Sequence, residues 1–478
     1  MPMNRRVALI TTVAPCLLLM ACMTQQQAPP AGLVISDVTI VSPERAVPLE
    51  HGYVRIVEGR IAEVSARPLR GQEEIDGTGR YLTPGLIDSH VHLAVPPGFP
   101  AAMTREQAAA QPEVVASTLA QDPRSYLFFG FTTVVDLVGS GDRTAQWNAL
   151  ELRPDAYFCG AAAIIGGELR PIRYPFFSYP VTLQERLAVV SDPAQRTPEA
   201  IVGKIAADGA SCVKTVYDGF VGVTPTVDEV KQLVAAAHAR GLPVFMHANR
   251  KSAQTVAVGA GVDVIAHGVW REPGEGVALD AEERELLMTV ARNGTGYQPT
   301  TQVIGGELDM LRGDYLAQPQ LADVYPATFI DWCAHAQDGC GDNRHRDAAA
   351  EPSIRGTITR AAELTRFLAD ADARLLFGSD TPSDLLYTNP PGLNGRMEMS
   401  NWIAAGVSNS KLFRALTLDN ARLLRLDDKI GTVQPGKTAN LLLLRSNPLE
   451  SVTAFDTIET VFLHGRPIAR SRLSARNR

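Results

Sequence analysis

The chain has 478 residues, 45% of them hydrophobic, enough for one large domain and a smaller one with a sizeable core. Its 45 basic and 52 acidic residues are mixed along the chain and leave a net charge of -7, so no basic stripe offers a surface to nucleic acid, and that partner class is excluded. The six cysteines form no Cys-x-x-Cys pair, which removes thiolate zinc clusters and thioredoxin-type motifs and leaves histidine and carboxylate as metal ligands.

At the start, Arg5 and Arg6 precede an apolar segment, Val7 to Ala21, that is too short to span a bilayer and has the shape of a secretory h-region. It ends in Leu19-Met20-Ala21-Cys22, which resembles the lipobox of bacterial lipoproteins. The expectation is a cleaved signal over 1–22, with Cys22 lipidated and holding the protein on a bacterial membrane facing the periplasm. Residues 23–31, rich in Gln, Ala and Pro, then form a tether. Release as a soluble periplasmic or secreted protein is the alternative. Either compartment permits disulfides, and Cys333 with Cys340, close together in a polar segment, are the expected pair. Cys159 and Cys212 stand in apolar runs and read as small core residues.

After the tether come short β-type runs at 33–41, 52–57 and 60–64, separated by turns such as Glu58-Gly59 and Asp76-Gly77. Runs at 430–437, 439–444 and 458–466 have the same character. Each half is too small for a core of its own, so residues 32–84 and 426–470 are expected to combine into one composite β-sandwich.

Between these halves, over 85–425, apolar strands alternate with amphipathic helices. The strands fall at 86–92, 132–138, 156–165, 211–217, 243–248, 262–267, 294–303 and 374–380. Thr226 with Glu229 opens one helix and Gly241 closes it; a second runs from Asp280 to Asn293 and stops at Gly294. Eight strands with helical crossovers predict an α/β fold, a (β/α)8 TIM-like barrel whose reactive groups sit at the carboxyl ends of the strands. The stretch at about 305–352 exceeds a simple connection and is expected to be an insertion over the barrel mouth.

Those strand ends carry chemistry. His90 and His92 close the first strand, and at i, i+2 spacing their imidazoles project to one face. Lys214 lies on the fourth strand, His247 ends the fifth, His267 the sixth and Asp380 the eighth. Neutral imidazole and carboxylate are zinc-type ligands. An ammonium among four imidazoles that hold dications makes sense if its charge is inverted by carboxylation; the alternative is a strand-end lysine paired with Asp218. His51, His238, His335, His345 and His464 lie away from strand ends and read as surface residues.

With Thr83-Pro84-Gly85-Leu86-Ile87-Asp88-Ser89-His90-Val91-His92, Gly130-Phe131-Thr132-Thr133-Val134-Val135-Asp136, Ala421-Arg422, the run 430–437 and Asn447-Pro448-Leu449, the chain resembles the amidohydrolase superfamily. Within it, the chain is similar to imidazolonepropionase-related enzymes and prolidase-like dipeptidases. The resemblance implies that His90, His92 and Asp380 bind one divalent metal, that His247 and His267 bind a second, and that Lys214, as a carbon dioxide-derived carbamate, bridges both. Zinc is the first expectation, with manganese, iron and cobalt suited to the same ligands. Two such metals generate hydroxide and polarise a carbonyl, and Asp380 is placed as general base and then general acid. The implied reaction is hydrolysis of an amide or peptide bond in a small molecule. Two departures make a dipeptidase substrate less secure: Ala266 precedes His267 where many relatives carry Glu, and Ala248-Asn249 follow His247 where dipeptidases carry an aromatic. Tyr217, Asn249, Arg250, Arg170 and Arg173 are candidate substrate contacts by position. Competing readings are a mononuclear cyclic-amide hydrolase or deaminase, and a lipoprotein that binds metal or ligand without turnover. The sequence leaves open whether the chain forms a homo-oligomer.

Overall fold

The computed structural model describes residues 31–93, 98, 110–160, 197–217, 225–269, 277–312, 314–335, 340, 348–382 and 387–477. Cys22, Arg170, Arg173, Asp218 and His345 lie outside them, as do the expected signal and most of the tether. Among the described residues, no helix is long and apolar enough to cross a membrane.

The chain opens with β1 (Leu33–Ile40), β2 (Leu49–Val57), β3 (Arg60–Ser65), β4 (Glu73–Asp76) and β5 (Tyr81–Pro84). In β2 the buried positions Gly52, Val54 and Ile56 alternate with more exposed ones, the period of a half-buried strand. The barrel wall follows with β6 (Leu86–Val91), β7 (Phe131–Asp136), β8 (Asp155–Phe158), β9 (Val213–Val216), β10 (Val244–His247), β11 (Val264–Ala266) and β12 (Gly296–Gln298). Near the carboxyl terminus come β13 (Leu441–Leu444), β14 (Ile458–Leu463) and β15 (Arg466–Ala469).

Both ends of the chain contribute to one sheet of eight strands, in the order β15-β14-β13-β5-β1-β2-β3 with β4 on β1. β13 is four buried leucines, as befits a strand with neighbours on both edges. The sheet rolls until Ile61 donates to the carbonyl of Lys437 at 2.8 Å, and the enclosed core holds Ile35, Ile40, Val54, Leu82, Leu441, Leu443 and Phe462. β5 runs into β6 with only Gly85 between them. A Cβ on Gly85 would drive into the side chain of Thr132, so the close approach to β7 requires glycine there.

The barrel wall is parallel throughout. β6-β7-β8 form one ladder and β9-β10-β11-β12 another. The eighth segment makes single parallel bridges, Tyr297 with Leu375 and Val91 with Thr381, which carry the ring from β12 back to β6. Every residue of β6 and β7 is buried, since parallel strands in such a wall are covered on both faces. The crossover helices include Val227–His238, whose Thr226 and Glu229 form a capping box, and Ala281–Asn293, closed by Gly294 at φ 67°.

Among the described residues of 305–352, helices Leu321–Val324 and Ala327–His335 pack on helix Pro112–Phe128. Tyr315 and Tyr325 donate to the carbonyls of Thr388 and Tyr387, on the segment that follows Asp380. Cys333 and Cys340 are joined by a disulfide within this stretch. A second disulfide corrects the sequence expectation. Cys159 and Cys212 are not free core thiols but a bonded pair, with Cα atoms 4.2 Å apart, buried inside the barrel against Ile87, Val135 and Phe245. Apolar flanks indicate burial equally for a thiol and for half of a disulfide, so the local sequence could not separate them.

Candidate metal centre

The first barrel strand brings His90 and His92 to the rim, and the eighth segment brings Asp380 to the same point. The Asp380 N–H donates to the His90 carbonyl at 2.7 Å, and the His92 N–H donates to the Thr381 carbonyl at 2.7 Å. These backbone bonds fix the side chains against one another. Nε2 of His90 lies 3.1 Å and Nε2 of His92 2.8 Å from Asp380 Oδ1, while His267 Nδ1 lies 3.4 Å from Oδ2. The ligand atoms of His90, His92 and Asp380 fall within 4.8 Å of one another. The rings of His90 and His267 are 4.9 Å apart, and those of His247 and His267 4.5 Å. Three histidines from two strand ends thus surround one carboxylate, and the ring of His247 stands against that of His267.

Lys214 points into the same space from β9. It is buried at 3% exposure, and its charge acts on both His90 and His267. Burial pushes the His90 imidazole down to about 3, with Lys214 acting in the same direction. His267 is likewise held well below its ordinary value by burial. Burial alone would raise Asp380, but the imidazoles of His90, His267 and His92 that face it outweigh burial and hold the carboxyl well below the usual range. Lys214 is lowered to about 8 by burial, against the pull of Asp380. The result is neutral imidazoles at His90 and His267 beside the ionised carboxylate of Asp380, the protonation states a divalent cation requires.

The groups behind the ligands fit a metal as well. Nδ1 of His90 faces Gln298 Oε1 at 3.2 Å, and Gln298 Nε2 donates to Ser89 Oγ at 2.7 Å, which sets the orientation of the amide. The proton of His90 therefore sits on Nδ1, and its buried Nε2, which makes no aligned hydrogen bond, keeps a lone pair for a cation. Nδ1 of His267 lies 2.9 Å from Thr300 Oγ1. Asp88 accepts from the N–H groups of His90 and Ser379 at 3.2 and 2.9 Å, tying the first and eighth strand ends together beneath the site.

Gln298 and Thr300 belong to the seventh strand end, and sequence reasoning misses them because neither is a ligand type. The available signal is positional: all the other groups of the centre also stand at strand ends. Among the candidate substrate contacts, Tyr217 is half-buried just past β9, Asn249 is half-buried beyond β10, and Arg250 is exposed at the start of helix Lys251–Ala260. His51, His238, His335 and His464 pair at the surface with Asp37, Asp263, Asp331 and Asp155.

Comparison with known proteins adds to this geometry. Over 241 residues the chain is 27% identical to the imidazolonepropionase of Caulobacter vibrioides, a stretch amounting to 43% of this chain and 55% of that protein. The match thus spans about half the length of that relative. Over 73 residues it is 44% identical to the dihydroorotase of Pelotomaculum thermopropionicum, covering 15% of this chain and 17% of that one. A solved Xaa-Pro dipeptidase with methionine bound in its active site superposes with a TM-score of 0.64 at 22% identity, over 91% of this chain and 99% of that one, a likeness of fold. The model of the amidohydrolase family matches residues 81–293 and 327–468, which include His90, His92, Lys214, His247, His267 and Asp380. The chain belongs to the amidohydrolase family.

Proposed function

We propose that this protein hydrolyses an amide or peptide bond of a small molecule at a centre of two divalent metal ions, zinc first among the candidates. The observation that carries the reading is Asp380, an ionised carboxylate with imidazole nitrogens at 2.8, 3.1 and 3.4 Å, in a buried site that Lys214 shares. His90, His92 and Asp380 would hold one ion, His247 and His267 the other, and Lys214, carboxylated, would join them. Bound there, the ions supply a water of lowered pKa and polarise the scissile carbonyl. Asp380 would take a proton from the attacking water at a carboxylate oxygen and return it to the departing nitrogen. Gln298 and Thr300 keep the ring nitrogens of His90 and His267 on the ligands' side. Lowering of Lys214 to about 8 increases the share of neutral amine, the form that takes up carbon dioxide. Tyr217, Asn249 and Arg250 stand past the ends of β9 and β10 as candidate substrate contacts, and Arg170 and Arg173 are proposed from sequence position alone.

Metal analysis of the purified protein is expected to give close to two equivalents, and a panel of N-acyl amino acids, dipeptides and lactones is expected to include a substrate. Asp380→Asn should lower kcat by about 10²-fold or more while the protein keeps much of its metal; a near-normal rate would refute its role. A mononuclear cyclic-amide hydrolase or deaminase is the second reading. It is favoured by one observation: among the described residues, His90, His92 and Asp380 are the only set of three or more histidine, cysteine or carboxylate side chains whose ligand atoms all lie within 4.8 Å of one another. One equivalent of metal, with Lys214→Ala still active, would select it. Two bound ions without turnover on any substrate would point to a binding protein.

The same proposal places the protein outside the cytoplasm, anchored through Cys22. Two disulfides support an oxidising compartment. Cys22→Ser should move the protein from the membrane fraction to the soluble fraction.

A further inference from the structure

Five neighbouring strand pairs of the barrel wall are joined by parallel ladders: β6 with β7, β7 with β8, β9 with β10, β10 with β11, and β11 with β12. Between β8 and β9 there is none among the described residues. One backbone hydrogen bond crosses that seam, from the Ser211 N–H to the Phe158 carbonyl at 2.8 Å, just ahead of β9. The Cys159–Cys212 disulfide crosses at the same level. Cys159 follows directly on β8, where its N–H donates to the Asp136 carbonyl at 3.0 Å, and Cys212 directly precedes β9. Both side chains are fully buried in the inner layer of the barrel with Ile87, Val135, Phe245 and Leu376.

The strand held by this bond is the one that carries Lys214. At i, i+2 spacing Cys212 and Lys214 project to the same face, so the disulfide lies one layer beneath the lysine. β9 has only four residues, and among the described residues its ladder is with β10, where Val213 pairs with Val244 and Lys214 with Phe245. A slip of one residue would turn Lys214 out of the barrel, and a covalent bond at Cys212, two residues before the lysine, opposes it.

We propose that the Cys159–Cys212 disulfide is a positioning element of the metal centre, tying the start of β9 to the end of β8 so that Lys214 reaches the ions. The inference rests on the functional reading above in assigning Lys214 to the centre. It assigns the two cysteines no contact with substrate or metal. It also separates the two disulfides: Cys333–Cys340 spans seven residues within the 305–352 stretch and has no part in the wall.

The test compares the full-length protein with Cys159→Ala/Cys212→Val and, as control, with Cys333→Ser/Cys340→Ser, using cobalt(II) as the metal. In the first variant, cobalt affinity is expected to fall tenfold or more, with an altered visible spectrum. Amide protection should be lost over 213–216 and kept over 131–136, and the control should change neither. Wild-type cobalt affinity, spectrum and protection in the first variant would overturn the inference. If the wild-type protein itself takes up no cobalt, the functional reading fails, and amide exchange alone decides whether the bond fixes β9. If the first variant does not fold, the same measurements are made on folded Cys333→Ser/Cys340→Ser protein whose remaining disulfide has been opened with tris(2-carboxyethyl)phosphine. Unchanged protection and cobalt spectrum after opening would then overturn it.

Discussion

His267, Thr300 and Asp380, at three neighbouring strand ends, have φ of 75°, 47° and 56°, a region that residues with a Cβ enter at a cost of order 1 kcal/mol. The cost is offset by what the turn achieves: each backbone bends sharply as it leaves the wall, and the side chain is directed inward. Thr300 shows the use most clearly, since its hydroxyl reaches His267 Nδ1 only from that conformation. Thr300→Val keeps the volume and removes the hydroxyl, so the ring of His267 loses its orienting partner. Metal affinity should fall about 10- to 100-fold with the fold intact, measured by competition with a chromophoric chelator. Gln298→Leu should act alike through His90. The proposed ligands could be picked out in the sequence because metal coordination needs rare residue types, and the structure brings His90, His92 and Asp380 together. Their orienting partners could not, because a glutamine and a threonine are ordinary until their distances to the rings are known.

Helix Thr301–Asp309 starts at Thr300, and its first N–H groups are met by a carboxylate from another helix. Glu398 accepts from the N–H of Thr301 at 3.1 Å and of Gln302 at 2.7 Å, and from Trp402 Nε1 at 2.9 Å. The carboxylate is fully buried, so Glu398→Ala would leave several donors without an acceptor and cost about 3 kcal/mol, read as a lower denaturant midpoint. It should also weaken metal binding, because the helix start carries Thr300. The Cys159–Cys212 bond closes a separation of 53 residues, worth about 4 kcal/mol in loop-closure entropy, and calorimetry on the double variant should show the loss. The capping boxes at Thr226 and Asp280 were readable from a few adjacent residues, since capping is local chemistry. The 159–212 pairing was not, because it depends on two strands that meet only when the barrel closes.

For the whole molecule, the eight wall segments and the sheet shared by the two ends followed from apolar periodicity, which reports burial. Continuity of the sheet was hidden, since its order joins β13 to β5 across most of the chain. β5 is flanked by β1 and β13 and passes through Gly85 directly into the strand that bears His90. A chain ending at residue 430 would lack β13 to β15 and expose Leu82 and the core around it. Such a truncation is expected to accumulate as aggregate, and any refolded fraction should bind less metal than the full chain, by elemental analysis.

The insertion of β13 beside β5 also sets an order of events during biosynthesis. The strand leading to His90 and His92 is made early, yet its neighbour emerges only after more than three hundred further residues have been synthesised. Until β13 has emerged, the strand that leads to His90 and His92 lacks its neighbour in the sheet, and the proposed cation site is expected to take shape only after that pairing.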